Sequence, residues 1–123
     1  MAACAPLALR SVRNAHGERI DLSPLTVLLS RIEEKYHPEQ IWLFGSRARG
    51  DAKAWSDWDL FVVTPDAVPE SDLNPLVAWR LRKDSGVYAD VIPCRASDFR
   101  EDLHTVNTIC YEVAMDGVLL YER

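Results

Sequence analysis

Residues 45–60 read GSRARGDAKAWSDWDL: a Gly-Ser pair, ten residues, then Asp57 and Asp59 with one position between them. The run opens after the apolar stretch Ile41-Trp42-Leu43-Phe44 and closes into Leu60-Phe61-Val62-Val63. Short apolar runs bounded by glycine and polar residues read as strands. The segment therefore predicts strand, glycine turn, short helix and second strand. It places an anion-binding bend at one end and two carboxylates at the other, and few purely structural segments need both.

The flanking sequence extends this alternation. A helix is expected from about residue 24 to 36, with Ser23 as N-cap, Pro24 in the first turn and His37-Pro38 as the stop. Leu25, Leu28, Leu29, Ile32 and Tyr36 fall on one of its faces. Strand Gln40–Phe44 follows, then a short helix around Arg47–Asp51 and strand Trp58–Thr64, whose run is apolar on both faces and so should be central. Asn74-Pro75 starts another helix, carrying Leu76, Val77, Trp79 and Leu81, and Gly86 turns the chain into strand Val87–Cys94. Ser97 is placed to cap a helical stretch with Phe99 and Leu103, continued at helical spacing by Val106, Ile109, Cys110 and Val113. Gly117 fits the residue past its end, before a last strand, Val118–Tyr121. The expected class is α/β (α+β), a mixed central sheet of about four strands with helices packed against it.

Composition bounds the rest. At 123 residues, 48% hydrophobic and 27% charged, the chain suits a single globular domain. No apolar run approaches the roughly 18 residues needed to span a bilayer. The start, MAACAPLALRSVRN, reads as a leader or added edge segment rather than a secretory signal, which divides the chain into residues 1–21 and a domain of residues 22–123. A net charge of −5 without a long basic stripe disfavours a polynucleotide substrate. The densest basic group, Arg80, Arg82 and Lys83, reads as a solvated helix face. Cys4, Cys94 and Cys110 lack metal-like spacing and read as free thiols of a reducing cytoplasm, the last two as small core residues. His16, His37 and His104 are too scattered to hold zinc.

Asp57 and Asp59 carry the chemistry. Side chains two apart on a strand share a face, roughly 6.5–7 Å apart along the backbone, so both carboxylates can aim at one point while Trp58 packs on the opposite face. Two crowded carboxylates repel, and keeping both ionised calls for a cation. An all-oxygen donor set favours Mg²⁺. Taken alone, Asp57 could equally cap the strand and Asp59 face solvent. Gly45 lets backbone approach a ligand closely, the helix start after it offers free N–H groups, Ser46 adds a hydroxyl, and Arg47 and Arg49 can neutralise phosphate charge. A Gly-Ser turn can also be only a turn, and the pattern is not that of a P-loop. Asp90, within Val87-Tyr88-Ala89-Asp90-Val91-Ile92, needs a partner, a metal or an edge position facing water. Trp42 and Trp58 fall in strand patterns as core residues. Trp55, in the loop before the acids, is the tryptophan best placed to meet a nucleotide.

The segment GSRARGDAKAWSDWDLFVV resembles the minimal nucleotidyltransferases of the DNA polymerase β-like superfamily, whose motif is Gly-Ser, about ten residues, then Asp-x-Asp. The stretch ADVIPCRASDFREDLHTVNTICYEVAMDGVLLYER is similar to that family's third-aspartate strand, following helix and Gly-Val-x-Leu-Tyr-Glu end. The resemblance runs from about residue 22 to 123 and implies a nucleotidyltransferase fold. It implies that Gly45 and Ser46 hold a triphosphate, that Asp57 and Asp59 bind two Mg²⁺ ions, and that Asp90 completes one metal site and helps deprotonate an attacking hydroxyl. Arg47 and Arg49 would touch the nucleotide or brace its loop.

The implied reaction is transfer of AMP from ATP to a hydroxyl. A domain this small leaves little room for its own acceptor pocket. The resemblance points instead to a partner, a HEPN-type toxin for which the chain would be the antitoxin, adenylylating it on tyrosine. Two alternatives stand beside this: a nucleotide-binding antitoxin acting by complex formation alone, and a small-molecule, aminoglycoside-like transferase whose missing acceptor domain a homo-oligomer would supply. Nucleotide choice, acceptor and oligomeric state are left open by the sequence.

Overall fold

The computed structural model describes residues 8–123. Cys4 and the first seven residues of the expected leader lie outside them. Helix α1 (Thr26–Tyr36), preceded by a 3-10 turn at Ser23–Leu25, leads into β1 (Gln40–Phe44), the one-turn helix α2 (Ser46–Arg49) and β2 (Trp58–Thr64). A second 3-10 turn (Glu70–Leu73), α3 (Pro75–Arg82), β3 (Ala89–Arg95), α4 (Ala96–Asp102), α5 (Ile109–Asp116) and β4 (Val118–Glu122) complete the chain.

The sheet order is β3-β2-β1-β4. β1 pairs antiparallel with both β2 and β4, whereas β2 and β3 are parallel and need the crossover that α3 supplies. β2 is central, as its two-faced apolar run requires, and the expected mixed four-stranded sheet is present. Strands 40–44 and 58–64 fall where the sequence places them. The sheet separates two cores. On one face Ile41, Leu43, Trp58, Leu60, Val62 and Leu120 meet the apolar stripe of α1. On the other, Phe61 and Val63 meet Phe99 of α4 and Cys110 and Val113 of α5, with Phe99 tilted against both Phe61 and Trp42.

Several local expectations need correction. Ser23 is not a capping side chain: its own N–H donates to Asp21 Oδ1, an aspartate turn that presents Pro24 to the helix. Ser97 does not cap α4 either; its N–H donates to Asp66 Oδ1, reaching across from the end of β2. The single stretch expected from Phe99 to Val113 is two helices. Asn107 adopts φ 71°, and the Thr108 hydroxyl accepts the Tyr111 N–H to start α5 afresh. Val106, read as part of the stripe, is exposed in the connection. Gly117 does follow a helix, but with φ −78°. It is required there by closeness, because a Cβ would overlap Val113 O and press on Trp42.

Residues 8–21 lie along the domain. Arg10 N–H donates to Leu120 O and Ala15 N–H to Ala48 O, and Val12 is buried in the α1-side core. Gly50, at φ 90°, lets His16 and Asn14 pack over the end of α2.

Cys110 is buried and Cys94 half-buried, both as free thiols. Burial, with Cys110 beside it, pushes the Cys94 thiol up to about 12. At pH 8 its thiolate fraction is then on the order of one in ten thousand. Brief iodoacetamide treatment at pH 8 should leave Cys94 unmodified in the folded chain and alkylate it in urea, as read by peptide mass mapping.

Candidate active site

The site grows from strand register. Asp59 pairs with Phe44 of β1 on one side and with Asp90 of β3 on the other. Residues paired across a sheet share a face, so Phe44, Asp59 and Asp90 form one row, with strands about 4.8 Å apart. Next along this face come Trp42, Phe61 and Ile92, which belong to the helix-covered core. The acids thus lie where that apolar surface gives out. Asp57 sits in the loop two residues before Asp59, and Trp58 between them turns into the opposite core.

Gly45 closes the site from the β1 side. It adopts φ 75°, ψ −156°, a conformation open essentially to glycine alone. A Cβ there would overlap Asp59 Oδ2, so the carboxylate rests directly on the Gly45 backbone. The Gly45 carbonyl accepts the N–H groups of Ala48 and Arg49 and starts α2. The N–H groups of Ser46 and Arg47 in this first turn have no intrahelical acceptor.

Asp59 is half-buried while Asp57 and Asp90 are exposed. Burial raises the Asp59 carboxyl above its ordinary value, and the charges of Asp90 and then Asp57 raise it further, with Arg49 pulling it partly back. The three acids therefore feel one another, and the row is short of positive charge. A divalent cation would relieve this crowding, and the donors are the hard oxygens it prefers. Among the described residues, no three His, Cys, Asp or Glu side chains already converge on one point at ligand spacing. Asp57 and Asp90 are exposed, which leaves their side chains free to change rotamer.

The two arginines differ. Arg47 is committed to the chain: Nε and Nη2 donate to Ser56 O at 3.2 and 2.7 Å, and Nη2 also reaches Ala54 O at 3.3 Å. Its guanidinium stacks 4.3 Å over the Trp58 ring. It braces the loop that delivers Asp57. Arg49 is exposed, pairs with Asp51 at 3.2 Å and lies close enough to Asp59 to act on its charge. Trp55 is 80% exposed at the tip of the same loop.

Sequence reasoning overlooked the wall beside the acids. A groove of ≈ 590 Å³ runs between α3 and β3, reaching Phe44, Asp59 and Asp90. Its α3 side is made by Leu76, Trp79 and Arg82. Arg82, read as part of a solvated face, is instead only partly exposed, with its guanidinium 5.8 Å from the rings of both Trp79 and Tyr88. The i, i+3 spacing of Trp79 and Arg82 was the available signal.

A mixed sheet with a glycine bend against a carboxylate row is the frame of a nucleotidyltransferase, and comparison with known proteins agrees. The nucleotidyltransferase domain family matches residues 25–113, most of the chain, and the chain belongs to that family. The protein adenylyltransferase MntA of Aphanizomenon flos-aquae (strain 2012/KM1/D3) is 34% identical over 85 residues, which cover 66% of this chain and 55% of that protein. The chain thus spans about half the length of this curated relative. A crystal structure from Sulfolobus solfataricus, classed as a nucleotidyltransferase, superposes with a TM-score of 0.57 at 21% identity, covering 83% of this chain and 80% of its own. That likeness speaks for the fold. No helix among the described residues is long and apolar enough to cross a membrane.

Proposed function

We propose that this chain is a Mg²⁺-dependent adenylyltransferase that moves AMP from ATP to a hydroxyl of a partner protein, and that it is the antitoxin of a cytoplasmic HEPN toxin–antitoxin pair. Residues 22–123 form the transferase unit in this reading, with residues 1–21 added to it. The observation that carries it is the row Asp59–Asp90 with Gly45 pressed against Asp59: a cation-seeking acid cluster directly beside an anion-accepting bend. The similarity to MntA supports protein as the acceptor.

Asp57, Asp59 and Asp90 would hold two Mg²⁺ ions, which when bound supply the charge that lowers the acceptor pKa and neutralises the leaving oxygens. The chain's own groups do the remainder. The Ser46 hydroxyl and the free N–H groups after Gly45 hold the phosphates in line with the acceptor. Asp90, exposed at the sheet edge, takes the acceptor proton. Arg49 offsets charge at the bend, and Arg47 keeps the Asp57 loop in place.

The test is to incubate the chain with ATP, Mg²⁺ and the protein encoded beside it, then weigh that protein. A gain of one adenylyl group, lost with Asp57→Ala, is the expected outcome; no gain, or a gain that survives the substitution, would remove the proposal. Arg47→Lys gives a finer check. Lysine cannot fork to two carbonyls while stacking on Trp58, so the Asp57 loop should loosen. Mn²⁺ affinity, followed by electron paramagnetic resonance titration, is expected to fall about 10- to 100-fold, the usual cost of losing a group that orients a ligand.

A further inference from the structure

We propose that the hairpin at residues 10–20 is a positioning element of the transferase site. Through the Ala15 N–H it holds the far end of α2, and with it the Gly45-Ser46 bend, in the shape that receives phosphates. The inference rests on the transferase reading and names what keeps its phosphate bend in place. These residues precede the family match, which begins at residue 25, so the hairpin is an addition to the shared frame.

The bend needs outside support. Helix α2 is a single turn, Ser46–Arg49, and a helix so short does not hold itself in water. Within it the Gly45 carbonyl accepts the N–H groups of Ala48 and Arg49, and the Ser46 carbonyl those of Gly50 and Asp51. The carbonyls of its last residues have no intrahelical donor. Among these, Ala48 O belongs to a buried residue, and it accepts the Ala15 N–H at 2.9 Å. Gly50 follows at φ 90°, where a Cβ would come 2.5 Å from His16 Cδ2 and 2.9 Å from Asn14 Cγ. The hairpin tip therefore rests on α2 by one hydrogen bond and by close contact at the adjoining glycine. Ala48 stands about 4.5 Å of helix from Gly45, so a shift at one end is felt at the other.

The hairpin is built to be stiff. Asn14 N–H donates to Glu18 O at 2.8 Å and Gly17 N–H to Asn14 O at 2.9 Å, closing a turn over residues 14–17. Asn14 Oδ1 also accepts the N–H groups of His16 and Glu18, at 2.9 and 3.1 Å. Asparagine in the first place and glycine in the fourth are residues that such turns favour. The legs are fixed to β4, an edge strand of the sheet. Arg10 N–H donates to Leu120 O, the Arg10 guanidinium pairs with Glu122 at 3.1 Å, and Val12 is buried in the α1-side core. The hairpin thus reaches from β4 to α2. Between it and the Arg47–Trp58 pair lies an open cavity of ≈ 500 Å³. Its hold on the site runs through Ala48 and Gly50, not through the loop that carries Asp57.

The experiment uses the full chain and two substitutions in this one turn. Ala15 holds the second place, where proline is favoured. Ala15→Pro therefore suits the turn, yet it deletes the N–H that Ala48 O accepts and sets a ring carbon against that oxygen. Gly17→Ala strains the turn at φ 79° with nothing near its Cβ, and leaves the Ala15 N–H in place. In ¹⁵N NMR spectra without nucleotide, Ala15→Pro should shift the Gly45 and Ser46 amides and Gly17→Ala should not. ATP affinity in the presence of Mg²⁺, followed on the same two amides, should fall about three- to tenfold in Ala15→Pro, the worth of one hydrogen bond. It should be retained in Gly17→Ala, although that variant melts lower. Mn²⁺ affinity, which reports on the acids, should be unchanged in both. ATP affinity that ignores Ala15→Pro, or that follows melting temperature across the two variants, would overturn the inference. Should Ala15→Pro fail to fold, Gly50→Ala parts the same contact from the helix side, and undiminished ATP affinity there overturns it equally. A wild-type chain whose Gly45 and Ser46 amides ignore ATP would instead strike the transferase reading, while the nucleotide-free shifts still decide whether the hairpin governs the bend.

Discussion

Asp59→Asn is expected to abolish adenylyl transfer and yet raise the melting temperature of the metal-free chain. The loss of transfer should be on the order of a thousandfold, since the group lost is a charge aimed at the reacting centre. The gain in stability follows from its pKa. Burial first, and then Asp90 and Asp57, raise the Asp59 carboxyl above the ordinary value of 3.8. A carboxyl raised by folding binds its proton more tightly in the native state than in the unfolded one. Its contribution to stability is complete below the unfolded value and is lost as the pH climbs through the raised native value. At pH 7 the ionised Asp59 therefore works against the fold, and asparagine removes that penalty. The difference in melting temperature should shrink as the pH is lowered toward 4, where the wild-type group is increasingly neutral. Mg²⁺ should stabilise the wild-type chain and do less for the variant. A variant that melts below the wild-type chain at pH 7 without metal would contradict this account of the site. Sites that trade stability for function behave this way.

Gly45→Ala is the second large effect, and here stability and activity should fall together. Alanine at φ 75°, ψ −156° costs about 1–3 kcal/mol in backbone strain. Its Cβ would also overlap Asp59 Oδ2, so either the bend or the carboxylate must move. A lower urea midpoint with an unchanged slope is expected, with transfer reduced about a hundredfold or more because the phosphate bend and the acid can no longer sit together. Gly17→Ala is the control at another positive-φ glycine: nothing lies within 4 Å of its Cβ, so backbone strain remains without the collision. It should lose stability and keep activity.

The sequence disclosed the strands well because their residues are decided by two-sided burial. Trp58–Thr64 is apolar over both faces and could only be central. The Asp57–Asp59 spacing reads as two strand side chains on one face, whereas Asp59 alone lies in β2 and Asp57 in the loop before it. What was not legible is what depends on distant partners. That Asp21 and Asp66 serve the N–H groups of Ser23 and Ser97, rather than the serines capping their own helices, is set by the path of the chain. The break at Asn107 was hidden because Val106 continues the helical period yet is exposed. Arg82 looked like one of three solvated charges until Tyr88, from the other side of a turn, came to lie against it. Arg47 was left between two roles because its acceptors are carbonyls of Ala54 and Ser56, which no side-chain pattern reveals.

The central strand has one more consequence. Sliding β2 by a single position against β1 and β3 would carry Asp59 onto the face where α1 packs and push Leu60 and Val62 out of it. Ionised carboxylate in that oily layer is prohibitive. Side chains that never touch a substrate thereby act as the gauge that aligns the acids, and a mispaired chain is rejected while folding, before it could exist as a stable but inert protein.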